Sequence, residues 1–162
     1  MTNLEQEFTK FSDPQAPQRA ARKPQFGRIQ SRQDFVALLS SENCSSVIET
    51  DIGQGASALQ PARLAVSAID PSSENVRHCR ECGSDTRQAS LFDTPFKDNT
   101  FDADWAMITL FHAPNALLDE ELPEISRALR SGAPLEIGLW SGAAIEQHLT
   151  HKDIQLERFF SW

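Results

Sequence analysis

The sequence predicts an α/β fold: a doubly wound, mainly parallel sheet with helices on both faces. Three observations carry this. Short apolar runs alternate with segments of helical period along the chain. The first run, Val47-Ile48-Glu49-Thr50, breaks into a glycine turn, Asp51-Ile52-Gly53-Gln54-Gly55, and Ala56-Ser57-Ala58-Leu59 then reads as a helix start. The second run, Leu64 to Ile69, ends on a carboxylate, Asp70. Right-handed crossovers restrict the topology of such a sheet. The predicted strand order is 3-2-1-4-5, with a ligand crevice at the carboxyl ends of strands 1 and 4.

At 162 residues the chain suits one domain of ~100–200 residues. A core is affordable, since a chain of this size buries ~70% of its unfolded surface. The formal net charge of −8 argues against general nucleic-acid binding, which needs clustered cations against phosphate. Arg19, Arg22, Lys23, Arg28 and Arg32 read as a solvated basic arm or a contact for an anionic partner. No apolar run approaches the ~20 residues of a membrane span. The N-terminus lacks an apolar signal segment, so the expected location is the cytoplasm. The three cysteines, Cys44, Cys79 and Cys82, do not make a disulfide framework. Cys79-x-x-Cys82 has no second pair to complete a zinc site, so no metal is expected.

Residues 1–24 read as a flexible N-terminal tail, because Asp13-Pro14-Gln15-Ala16-Pro17-Gln18 has little to bury. Residues 25–162 form the predicted domain. Ser31 is a candidate cap for a helix running to Ser41, with Phe35, Val36, Leu38 and Leu39 as its apolar face. Strand 1 spans Ser46 to Thr50. A helix follows the glycine turn until Pro61 ends it. Strand 2 is Leu64 to Ile69. Pro71 and a cap at Ser72 or Ser73 open the next helix, which turns Val76 and Cys79 inward and closes at Gly83. Strand 3, Thr86 to Ala89, suits a sheet edge.

Phe96 and Phe101 anchor the loop that runs from Leu91 to Asp102, with Pro95, Asp98 and Asn99 as its turn residues. Strand 4 is Ala103 to Ile108. Asp119 is the expected cap of the following helix, with Pro123 in its first turn and Ile125, Ala128 and Leu129 facing the core. Strand 5 is Pro134 to Trp140, with Leu135, Ile137 and Leu139 on one side. Beyond Ser141, residues 143–149 read as a helical turn or two, and Phe159, Phe160 and Trp162 as docking on the body. Trp105, Trp140 and Trp162 read as core residues or as the lining of an apolar pocket.

Two ligand classes share this scaffold. Gly53-x-Gly55-x-x-Ala58 with Asp70 downstream fits a dinucleotide such as NAD, whose ribose hydroxyls Asp70 would accept. The other class is S-adenosylmethionine (SAM). A pyrophosphate would approach Glu49 and Asp51, and like charges 4 Å apart repel by about 4 kcal/mol at an effective dielectric of ~20. SAM brings a cationic sulfonium and an ammonium instead, which suits a turn rich in carboxylates.

Two stretches then become specific. Pro95-Phe96-Lys97-Asp98-Asn99-Thr100-Phe101-Asp102 and Leu122-Pro123-Glu124-Ile125-Ser126-Arg127-Ala128-Leu129-Arg130-Ser131-Gly132 resemble the "PFpDnsFD" loop and "LrEiaRvLRpGG" helix end of class I SAM-dependent methyltransferases of type 11. The resemblance covers Phe35 to Trp162 and implies a Rossmann-like fold. By position, it implies that Glu49, Asp51, Gly53 and Gly55 hold the methionine part. It assigns Asp70 to the ribose and Ser90 and Leu91 to the adenine. Thr109 and His112 fall on the acceptor side after strand 4, and His112 is the candidate base, or else a helix-start or packing histidine.

The chain differs from the family at Asp51, where glycine is usual, at Ser90, where aspartate is usual, and at Ser131 and Ala133. If residue 51 needs a positive φ, aspartate costs roughly 1–2 kcal/mol. The family continues with a helix and two more strands, which this chain is expected to lack. Strand 5 would then be an edge open to pairing with a second copy. Three readings stay open: methyl transfer to a small-molecule acceptor, a non-catalytic binding module on the same fold, and an NAD(P)-dependent oxidoreductase.

Overall fold

The computed structural model describes residues 3–20, 26–50, 52, 59, 64–107, 110, 114–139, 142, 144–150 and 157–161. Five parallel strands form the main sheet: β1 (Ser46–Thr50), β2 (Ala65–Asp70), β3 (Asp85–Gln88), β4 (Ala103–Met107) and β5 (Leu135–Gly138). Their order is β3-β2-β1-β4-β5, as the sequence predicts. Val47 pairs with Val66 on one side and Ala103 on the other. In the order β3-β2-β1-β4-β5, β1 and β4 each have a neighbour on both sides and are buried on both faces, as parallel strands covered on two sides must be.

Side chains alternate across the sheet, so each strand feeds two cores. On one face Val47, Ala103, Trp105 and Met107 meet Phe35 and Leu39 of α3 (Phe26–Ser41). The Phe35 and Trp105 rings lie 5.3 Å apart. On the other, Ile48 and Ile69 meet Ile125 and Ala128 of α5 (Leu118–Ala128). α4 (Ser73–Glu81) turns Asn75, Val76 and Cys79 inward, and Gly83 closes it at φ +84°, a region open to glycine at no steric cost.

The two stretches that carry the family resemblance lock onto each other. Arg127 of α5 donates to the Phe96 carbonyl at 2.8 Å, to Asp98 at 2.7 Å and to Glu124 at 2.8 Å. Glu124 in turn accepts from the Thr94 backbone at 2.9 Å and its hydroxyl at 3.0 Å. Phe96 stands edge-on to the buried Phe101 with ring centroids 4.8 Å apart. Asn99 takes the left-handed φ of +52° in the turn between them. These motif residues tie the 91–102 loop to α5.

Several elements differ from expectation. The N-terminal stretch expected as a tail forms α1 (Asn3–Ser12), a 3-10 turn (Asp13–Gln15) and α2 (Ala16–Ala20). Phe11, Ser12 and Ala16 are buried, which supplies the partner that helical propensity alone lacks. α3 starts at Phe26, so Ser31 lies inside it rather than capping it, and Leu38 points outward. Asp119 does not cap α5. A 3-10 turn (Asn115–Leu117) runs straight into that helix, and Pro123 falls at its sixth residue, inside the helix. Glu146–Thr150, expected to be helical, is strand β6, because it finds an antiparallel partner in β7 (Glu157–Ser161). This hairpin forms its own two-stranded sheet. It buries Phe160 and packs on α1. Trp140 and Trp162 lie outside the described residues, whereas Trp105 is buried in the core.

Candidate functional site at the carboxyl ends of the strands

Glu49 and Asp70 come together by register. Glu49 sits opposite Ala68 on β2, and Asp70 lies two residues further along the same strand. The two-residue repeat of a strand puts both carboxylates on one face, at the carboxyl ends of adjacent strands. Both are buried. Cys79 of α4 reports their convergence: burial first, then the charges of Asp70 and Glu49, push its thiol up to about 12. The thiol therefore stays protonated at neutral pH.

Asp70 is held on both oxygens. The Ser72 backbone donates to Oδ1 at 2.7 Å, and Asn75 Nδ2 donates to Oδ2 at 3.0 Å. Ser72 caps α4, its hydroxyl accepting from the Asn75 backbone at 3.1 Å. The helix start therefore stabilises the carboxylates around it.

Ser90 and Leu91 are half-buried just after β3. The Ser90 hydroxyl accepts from the Phe92 backbone at 3.0 Å and so shapes its own turn. Asp51, Gly53, Gly55, Thr109 and His112 lie outside the described residues, as does the helix expected after the glycine turn apart from the buried Leu59. The structure thus joins Glu49 and Asp70 on one face and places Ser90 and Leu91 beyond the neighbouring edge strand.

Sequence reasoning passed over three groups. Asp13 reaches Ser72 from the N-terminal segment. Asn75 holds Asp70. Asp104 is a fully buried carboxyl on β4, and its Oδ2 has no hydrogen-bond partner among the described residues. Its signal was available: one carboxylate inside the apolar run from Ala103. A cavity of about 490 Å³ lined by Leu122, Arg130 and Leu135 lies by the amino end of β5, away from this site.

The residues fit a cationic nucleoside on the ground of chemistry, since two buried carboxylates share one face at the carboxyl ends of adjacent strands. No helix among the described residues is long and apolar enough to cross a membrane.

No curated protein sequence matches the chain. Among solved structures it is similar to the DhpI–SAM–HEP complex, at 19% identity and a TM-score of 0.70, covering 100% of this chain and 83% of that one. It is similar to magnesium protoporphyrin IX methyltransferase (ChlM) from Synechocystis PCC 6803 with bound SAH, at 14% identity and a TM-score of 0.64, covering 78% and 68%. A third is a sarcosine dimethylglycine methyltransferase, so named provisionally, from Galdieria sulphuraria, at 14% identity and a TM-score of 0.56, covering 67% and 46%. These likenesses concern the fold. The methyltransferase-domain family matches residues 49–137, more than half of the chain, and the chain therefore belongs to that family, with the Rossmann-like class I fold of SAM-dependent methyltransferases.

Proposed function

We propose that this protein binds SAM and transfers its methyl group to a small-molecule acceptor. The observation that carries the reading is the placing of Glu49 and Asp70 on one face of β1 and β2 at their carboxyl ends. When bound, SAM supplies a methyl group activated by a sulfonium. Asp70 would accept the ribose hydroxyls, and Glu49 would lend negative charge near the cationic methionine part. Asp51, Gly53 and Gly55 complete that cradle in this reading, and Ser90 and Leu91 flank the adenine. Positioning of the two reactants supplies much of the rate in such a displacement. His112 is proposed as the base where the acceptor needs one, with Thr109 beside it.

The same reading treats residues 25–162 as the catalytic domain and places the protein in the cytoplasm, in keeping with three free thiols. It also makes β5 an interface between two copies. Leu135, Ile137 and Leu139 are 36%, 37% and 61% exposed, and β5 pairs only with β4 among the described residues. Antiparallel pairing centred on Ile137 would set Leu135 against Leu139 of the second copy, with no like charges opposed.

Calorimetric titration with SAM and with S-adenosylhomocysteine tests the reading. Saturable binding of both is the expected result, and no binding at millimolar ligand would remove it. Binding without turnover across a panel of acceptors would favour a non-catalytic module on the same fold.

A further inference from the structure

The N-terminal segment reaches the ribose side of the site through a defined chain of hydrogen bonds. Asp13 Oδ1 accepts from the Ser72 hydroxyl and, at 3.4 Å, from the Glu74 backbone. The Ser72 hydroxyl accepts from the Asn75 backbone at 3.1 Å. Ser72 N and Asn75 Nδ2 then each donate to one oxygen of Asp70. Ser72, Asn75 and Asp70 are all buried, and Asp13 is half-buried. Phe11, Ser12 and Ala16, on either side of Asp13, are buried too, so the segment that carries the carboxylate is seated in the fold.

The polarity of the chain gives Asp13 its role. A serine hydroxyl has one proton and two lone pairs. With its proton committed to Asp13, its lone pairs face the start of α4 and hold Asn75, whose side chain holds Asp70. Without that acceptor the hydroxyl is free to rotate and compete for other acceptors, and the Asn75 amide turns with the helix start. A second carboxylate near Asp70 is tolerated because the positive end of the α4 dipole lies between them.

We propose that Asp13 is a positioning residue that sets the Asp70 carboxylate for the ribose hydroxyls through Ser72 and Asn75, and so makes the N-terminal segment part of the nucleoside site. This rests on the cofactor reading above.

The test uses the full chain and two variants, Asp13→Ala and Asp13→Asn. Calorimetry with S-adenosylhomocysteine gives the affinity, and competition by adenosine against 2′,3′-dideoxyadenosine isolates the ribose contact. Asp13→Ala should weaken S-adenosylhomocysteine and adenosine by roughly fivefold or more, the scale of one hydrogen bond, and leave dideoxyadenosine unchanged. Asp13→Asn, which keeps an acceptor oxygen, should recover most of the loss. Melting curves confirm that both variants fold. Wild-type binding with an indifferent Asp13→Ala overturns the proposal alone, as does equal loss of both nucleosides. A wild-type chain that binds no S-adenosylhomocysteine overturns the cofactor reading and the proposal with it.

Discussion

Thr50 and Asp104 meet across β1 and β4 in the buried centre of the sheet, the threonine hydroxyl donating to Asp104 Oδ1 at 3.4 Å. That long bond does not compensate for the loss of water. Burial pushes the Asp104 carboxyl up to about 8, against the weaker opposing pull of donors from Thr50 and Trp105. No charged group contributes to the shift. The faces around Asp104 offer Ile48, Leu135 and Ile137 from the neighbouring strands and Ile125 and Ala128 from α5.

The sign of the linkage follows. Below about pH 4 the carboxyl is neutral in both states. Between about 4 and about 8 the unfolded chain releases the proton and the fold keeps it, so stability falls as pH rises through that window. Asp104→Asn should abolish this fall. Urea titrations at pH 5, 7 and 8.5 should show variant and wild type close together at the acid end and the variant increasingly the more stable at the basic end. Parallel curves would show that Asp104 does not titrate there.

Asp102, two residues earlier, moves the other way. Ser45 and Ser46 give its Oδ2 four donors, two backbone and two hydroxyl, at 2.8–3.0 Å, and Arg130 pairs with Oδ1. The Ser45 backbone bond leads the causes that hold its carboxyl at about 2. Its contribution is present above the unfolded value near 4 and is lost as pH falls through about 2. Asp102→Ala should cost about 1–3 kcal/mol at pH 7, because the start of β1 loses its acceptor. The deficit should shrink on acid titration, read as the unfolding midpoint in urea.

Arg127→Lys should loosen the 91–102 loop. A lysine carries the charge but cannot reproduce the planar fork that serves Glu124, Asp98 and the Phe96 carbonyl together. Glu124, which the Arg127 bond first of all holds at about 2, should titrate closer to its ordinary value. A loss of roughly 1–3 kcal/mol is expected, with faster amide exchange over residues 94–100. Unchanged exchange there would place the role of Arg127 elsewhere.

Asp70→Asn keeps the size of the side chain and removes its charge. S-adenosylhomocysteine affinity should fall by about tenfold or more, since hydrogen bonds to a charged acceptor are worth about 1.5–3 kcal/mol. A melting curve separates this from the strain of facing the Asn75 amide with a second amide.

Ile137→Lys puts a charge at the centre of the exposed β5 row. Where two copies pair through this edge, light scattering should show the wild type as a dimer at micromolar concentration and the variant as a monomer. A monomeric wild type would show that the edge stays unpaired.

Local chemistry was enough for much of the fold. Ser46–Thr50 could be bounded from its apolar run, the cap narrowed to Ser72 or Ser73, and Gly83 placed at a helix end, because period, hydroxyl geometry and positive φ act within a few residues. The carboxylates at 49 and 70 were legible for the same reason, each ending an apolar run. Tertiary structure decided the rest, wherever the deciding partner is distant in sequence. The helices of 3–20 form because Phe11 and Ala16 have a surface to be buried on, and 146–150 is a strand because 157–161 lies against it. Asp104 is neutral because the elements around it exclude water, and Asp13 meets Ser72 only once the N-terminal segment has folded back onto α4. Pattern sets what each segment can be, while burial and pairing across the fold set which of those possibilities has the lower free energy.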